Sequence, residues 1–141
     1  MKRSEIDGAI LWALGLIKEQ RFFLPPFGYR SAREWKETAD EDSVKALMLG
    51  WDVTDFGIGD FKKTGAVLFT LRNGTPSGRG TPYAEKLIMF SQGQSLPFHY
   101  HIEKTEDIIN RGGGVLFVTL FNADTTKTPD GGKYPADAQN E

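Results

Sequence analysis

The two histidines of the chain stand two residues apart, in Pro97-Phe98-His99-Tyr100-His101. Alternate residues of a strand point to the same face. The spacing therefore predicts a strand over Leu96–His101, with both imidazoles projecting together and Phe98 and Tyr100 turned the other way. A carboxylate follows within a few residues, Glu103 or Glu106, with Asp107 adjacent. Two imidazoles and one carboxylate can occupy one face of an octahedral ion and leave positions open for water or substrate. The chain has no cysteine, so a metal here is held by nitrogen and oxygen, and disulfides are excluded. The competing reading is a pair of solvated histidines beside an acidic stretch.

Hydrophobic periodicity places the pair within a longer plan. After Ser4, Ile6, Ile10, Ala13, Leu14 and Ile17 follow at helical spacing, which predicts an amphipathic helix over about Glu5–Glu19. Pro25 and Pro26 make Phe22–Phe27 extended. Ser31 with Glu34 three residues later is a capping-box pattern and predicts a short helix through Trp35. A further helix is expected over Ser43–Leu49, stopped by Gly50. Strands are expected at Trp51–Phe56, Ala66–Leu71, Tyr83–Phe90, Leu96–His101 and Val115–Phe121. The chain from 123 to 141 reads as a polar tail. Sixteen glycines and seven prolines supply turns for many short strands.

With 141 residues the chain fits one domain of the usual roughly 100–200 residues. A net charge of −2 with interspersed signs offers no basic footprint for nucleic acid. No apolar run approaches the 18 or so residues of a membrane span. Met1-Lys2-Arg3 is followed by Glu5 and Asp7 without a small-residue cleavage site, so no signal peptide is expected and the cytoplasm is the expected location.

Gly93, five residues, His99-x-His101, four residues, Glu106, six residues and Gly113 reproduce the first cupin motif, G-x5-H-x-H-x3-4-E-x6-G. Longer blocks narrow the resemblance. They are Leu24-Pro25-Pro26-Phe27, Leu49-Gly50-Trp51-Asp52-Val53-Thr54-Asp55-Phe56-Gly57, Leu68-Phe69-Thr70-Leu71-Arg72-Asn73-Gly74, Pro82-Tyr83-Ala84-Glu85-Lys86 and Thr105-Glu106-Asp107-Ile108-Ile109-Asn110-Arg111-Gly112-Gly113-Gly114. Together, over about Met1–Asn122, the chain resembles the D-lyxose isomerase family of cupins.

The resemblance implies a mostly-β fold: a cupin jelly-roll barrel (a double-stranded β-helix) with N-terminal α-helices. Residues 1–50 are expected to form a helical and loop extension, 51–122 the cupin strands with the metal motif, and 123–141 the tail or the start of a C-terminal half. It implies metal ligation by His99, His101 and Glu106, with Mn²⁺ as the ion; the donor set also suits Zn²⁺, Co²⁺ or Fe²⁺. In the family a further histidine completes the site, and no histidine follows His101 here. The second cupin motif is absent too, and four or five strands are few beside the about eight of a small barrel. The expectation is therefore an incomplete barrel, a fragment rather than a shortened member. The implied activity is the metal-dependent interconversion of D-lyxose and D-xylulose, with a pentose as small-molecule partner and a homodimer as assembly. Glu106 and Lys86 are the candidate catalytic residues, Glu106 for the proton and Lys86 for developing negative charge; a carboxylate outside the chain is an equal candidate for the base. Ala84, Lys86 and Ile88 share one strand face, and which face is inward is open. The alternative is a non-catalytic metal- or sugar-binding cupin with an incomplete site. Asp52 and Asp55 read as turn residues or pocket lining, Trp12, Trp35 and Trp51 as core or interface.

Overall fold

Ala9, Ala13 and Ile17 recur every fourth residue along helix α1 (Arg3–Glu19), and this buried stripe decides where the core forms. A computed structural model describes residues 1–36, 41–99, 101 and 105–121. The backbone divides into two units, Met1–Leu96 and Pro97–Glu141. The expected tail over 123–141, together with Tyr100 and Glu103, lies outside the described residues.

In the first unit, α1 is followed by a 3-10 turn at Pro26–Tyr29, α2 (Ala32–Lys36), α3 (Glu41–Ala46), β1 (Gly50–Thr54), β2 (Ala66–Gly74) and β3 (Gly80–Met89). The strands form one antiparallel sheet in the order β1-β2-β3. Trp51 faces Phe69, which faces Leu87; Val53 faces Val67, which faces Met89. These six residues share one sheet face. The α1 stripe joins Leu24, Val67, Phe69 and Met89 in the core, with Trp51, Val53 and Leu87 packed around them. Phe69 is fully buried. Phe27 stacks on its ring at 5.5 Å, and Trp51 meets its edge at 4.9 Å. The indole N–H of Trp51 donates to the Gly28 carbonyl at 2.9 Å. A methyl group at Gly28 would stand 2.8 Å from the Phe69 ring, so only glycine lets the 3-10 turn close over it.

Helix ends account for the boundaries. Phe22 N–H bonds to Ile17 O and Arg21 N–H to Lys18 O, with Arg21 left-handed at φ 54°. Leu49 N–H bonds to Val44 O and Met48 N–H to Lys45 O, with Met48 at φ 53°. Both are Schellman terminations with a side-chain-bearing residue where glycine is usual. The second ends α3 at Ala46, earlier than Leu49, because the left-handed turn already comes at Met48, two residues before Gly50.

The Ser31 capping box forms as the spacing predicts. Glu34 accepts from the Ser31 N–H at 2.7 Å and hydroxyl at 2.6 Å, and Glu34 N–H donates back to Ser31 Oγ at 3.3 Å. The Ser31 hydroxyl, then its backbone N–H, then the Arg30 charge hold the Glu34 carboxyl below its ordinary 4.5. A lowered carboxyl contributes stability above its unfolded-state pKa and loses it as pH falls through its folded value. This cap therefore weakens below pH 4.5. Ser31→Ala is expected to return the Glu34 titration, followed by carboxyl-carbon NMR, to the ordinary range; an unmoved titration would remove Ser31 as the cause.

Two expected strands do not form. Ser95 makes one isolated bridge to Thr64, and Leu96–His99 has no ladder. Residues 115–121 are likewise without strand structure. A strand exists only as a paired element, Pro97 lacks an N–H, and no partner strand is present among the described residues. Among the described residues helix and strand consequently have similar weight, unlike the mostly-β expectation, and the sheet is open, with β1 and β3 at its edges. No helix among the described residues is long and apolar enough to cross a membrane.

Candidate metal centre

The second unit begins at Pro97, two residues before the first histidine. The Pro97 carbonyl lies 3.0 Å from His99 Nδ1. A carbonyl only accepts, so this contact places the ring proton on Nδ1 and leaves Nε2 with its lone pair for a metal. The sequence reading did not include this contact. Its signal is a backbone carbonyl two residues before a ligand-type histidine.

His99 and His101 are side by side, with ring centroids 5.0 Å apart and planes at 78°. His101 Nε2 is 3.2 Å from Glu106 Oε2. One donor atom from each of His99, His101 and Glu106 lies within 4.8 Å of the others. The histidines are thus neighbours even though Leu96–His99 is not a strand: proximity along the chain brings them together where a ladder does not.

This donor set fits a divalent ion. Ligands bound at about 2.1 Å and mutually at right angles are about 3 Å apart, close to the His101–Glu106 separation. All three residues are exposed. Nitrogen and oxygen donors, without thiolate, suit Mn²⁺, Fe²⁺, Co²⁺ or Zn²⁺.

Residues beyond the trio shape the loop. The Asn110 side chain donates to Gly114 O at 3.1 Å and accepts from Gly112 N–H at 3.1 Å. This bracket closes the turn through Gly112 and Gly113, both at positive φ. Phe98 meets the ring of Phe121 edge-on at 5.3 Å.

Lys86 belongs to the first unit. It pairs with Thr70 in the ladder and is exposed, on the sheet face opposite the core. Leu87 and Met89 take the inner face because α1 packs there. Asp52 is exposed in register with Leu68, on the same sheet face as Lys86 and Ile88. Asp55 accepts from Gly57 N–H at 3.0 Å, a turn role. Trp51 packs against the core, Trp12 is about two-fifths exposed at 38%, and Trp35 lies under the Arg30 guanidinium at 5.3 Å.

A family profile described as D-lyxose isomerase matches residues 1–136. A D-lyxose/D-mannose isomerase of Escherichia coli O157:H7 is 44% identical over 133 residues, which cover 90% of this chain and 58% of that protein. A D-lyxose/D-mannose isomerase of Serratia proteamaculans is 48% identical over 120 residues, covering 78% of this chain and 53% of that protein. The chain spans little more than half the length of these curated relatives.

Proposed function

The chain belongs to the D-lyxose isomerase family, and from that premise we propose that it carries the metal-holding region of a cupin-type aldose–ketose isomerase. The substrates in this reading are D-lyxose with D-xylulose and, from the names of the relatives, D-mannose. The observation that carries the reading is the gathering of His99, His101 and Glu106 in a chain matched to the family over residues 1–136. D-Lyxose and D-mannose share the configuration of their second, third and fourth carbons, so a pocket that reads those carbons accepts both.

The reaction is redox-neutral overall. A proton leaves the second carbon, a proton arrives at the first, and one hydroxyl proton moves between the two oxygens. When bound, a divalent cation supplies stabilisation for negative charge on those oxygens. The chain's own residues do the rest. His99 offers Nε2, fixed by its Nδ1 bond to Pro97, while His101 and Glu106 complete the holding face. Glu106 also carries the proton. The open three-stranded sheet is then part of the cupin barrel built from residues 51–122, with residues 1–50 as its extension. The exposed Phe23 and Tyr29 support the N-terminal segment as a homodimer contact.

The test is incubation of the 141-residue chain with Mn²⁺ and D-lyxose beside a full-length relative. Ketose formation by both is the expected result. No ketose from the chain, with the relative active, would remove catalysis from it. A second reading has its own support: two histidines in a chain spanning little more than half of its relatives. That reading is a metal-binding cupin without turnover, and bound metal with no ketose would select it. Absence of both would overturn both.

A further inference from the structure

Neither helix nor strand forms over residues 97–99, 101 and 105–121, which carry the metal trio. Burial is scarce there as well: Ile109 is 72% exposed and Phe117 89%. Two contacts close this segment into a loop. At one end Asn110 brackets the turn through Gly112 and Gly113. At the other the rings of Phe98 and Phe121 meet edge-on, with centroids 5.3 Å apart and planes at 75°. Such pairs attract because the positive edge of one ring meets the negative face of the other. Exposure records the contact: Phe121 is 43% exposed, half the value of Phe117 in the same segment. Phe98 stands between Pro97, whose carbonyl holds the His99 ring, and His99 itself.

We propose that Phe121 is a positioning residue for the metal centre: through Phe98 it clasps the loop, so that His99 and His101 stand beside Glu106 before an ion arrives. The proposal rests on the metal-holding reading above. Its physical basis is the freedom of an exposed loop. Only the fraction of chains with the three donors together binds an ion at full strength, and apparent affinity falls with that fraction. Fixing the Phe98 ring restrains the backbone that enters His99, and closing the loop removes conformations in which Glu106 lies apart from the histidines. A ring pair at an exposed site shifts such a balance by about two- to tenfold. The effect is smaller than loss of a ligand, because Phe121 acts through another residue.

The test is Mn²⁺ affinity of the full chain without sugar, read from the electron paramagnetic resonance of the free ion. Phe121→Ala is expected to weaken binding about three- to tenfold, and Phe121→Tyr, which keeps the ring, to stay within about twofold of wild type. Phe117→Ala, in the same segment, is expected to leave affinity unchanged. Phe98→Ala is expected to match Phe121→Ala, and the double variant to lose no more than either single one, because both changes remove one contact. Wild-type affinity in Phe121→Ala would overturn the clasp. So would losses that multiply in the double variant, or a Phe121→Tyr chain as weak as Phe121→Ala. A wild-type chain that binds no Mn²⁺ would instead overturn the metal-holding reading and the clasp with it, so the two failures are distinguishable.

Discussion

His101→Ala is expected to lower divalent-metal affinity by at least about a hundredfold, leaving no stoichiometric metal after dialysis. His101 is central to the trio: its ring lies beside His99, and its Nε2 is 3.2 Å from the Glu106 carboxylate. Removing it leaves one imidazole and one carboxylate, both exposed and well hydrated without an ion. Elemental analysis of chain loaded with Mn²⁺ checks the outcome. Stoichiometric Mn²⁺ in the variant would refute the assignment. The change lies in the second unit, whereas Trp12, Trp35 and Trp51 all belong to the first. Unchanged tryptophan fluorescence unfolding would therefore show that the first unit keeps its fold in the variant.

Phe69→Ala should cost about 3–5 kcal/mol, the range for truncating a buried phenylalanine. Against a typical domain stability of about 5–15 kcal/mol this is a large share. The reason is position. Among the described residues Phe69 is the largest fully buried side chain, and it joins three parts of the first unit. Phe27 of the 3-10 turn stacks on it, Trp51 of β1 meets its edge, and the α1 stripe belongs to the same cluster. Gly28 is shaped around it as well, so the space left by alanine is bounded by a tight turn that collapses poorly. Trp51 fluorescence reports this contact during urea unfolding. A lowered midpoint is expected for Phe69→Ala and a nearly unchanged one for Phe23→Ala, whose side chain is 85% exposed. Equal midpoints for the two variants would contradict this account of the core.

Much of this architecture was legible in the residues. The helical spacing of Ile6, Ile10, Ala13, Leu14 and Ile17 is α1, and the Ser31–Glu34 spacing is the cap on α2. The strand composition around Phe69 and Lys86 is β2 and β3, each extending beyond the sequence boundaries through the hairpin. The hairpin extends because Gly80 takes φ 82° where a side chain would meet Asn73 O at 2.2 Å, a close approach of two strands that composition does not reveal. The α3 boundary moved for a similar reason: a left-handed methionine is disfavoured locally and is held by the surrounding hydrogen bonds.

The grouping of His99, His101 and Glu106 was legible in the sequence alone, because one residue between the histidines and four before Glu106 keep them near by covalent distance. Tertiary structure decided the matters that depend on partners remote in sequence. Lys86 faces away from the core because Leu87 and Met89, on the other face of β3, join the hydrophobic cluster that α1 also joins. Leu96–His99 and residues 115–121 have strand composition without strand structure. A helix closes its hydrogen bonds within its own segment, whereas a strand needs a second one, so a strand-forming sequence states a preference that only a neighbouring chain segment can realise.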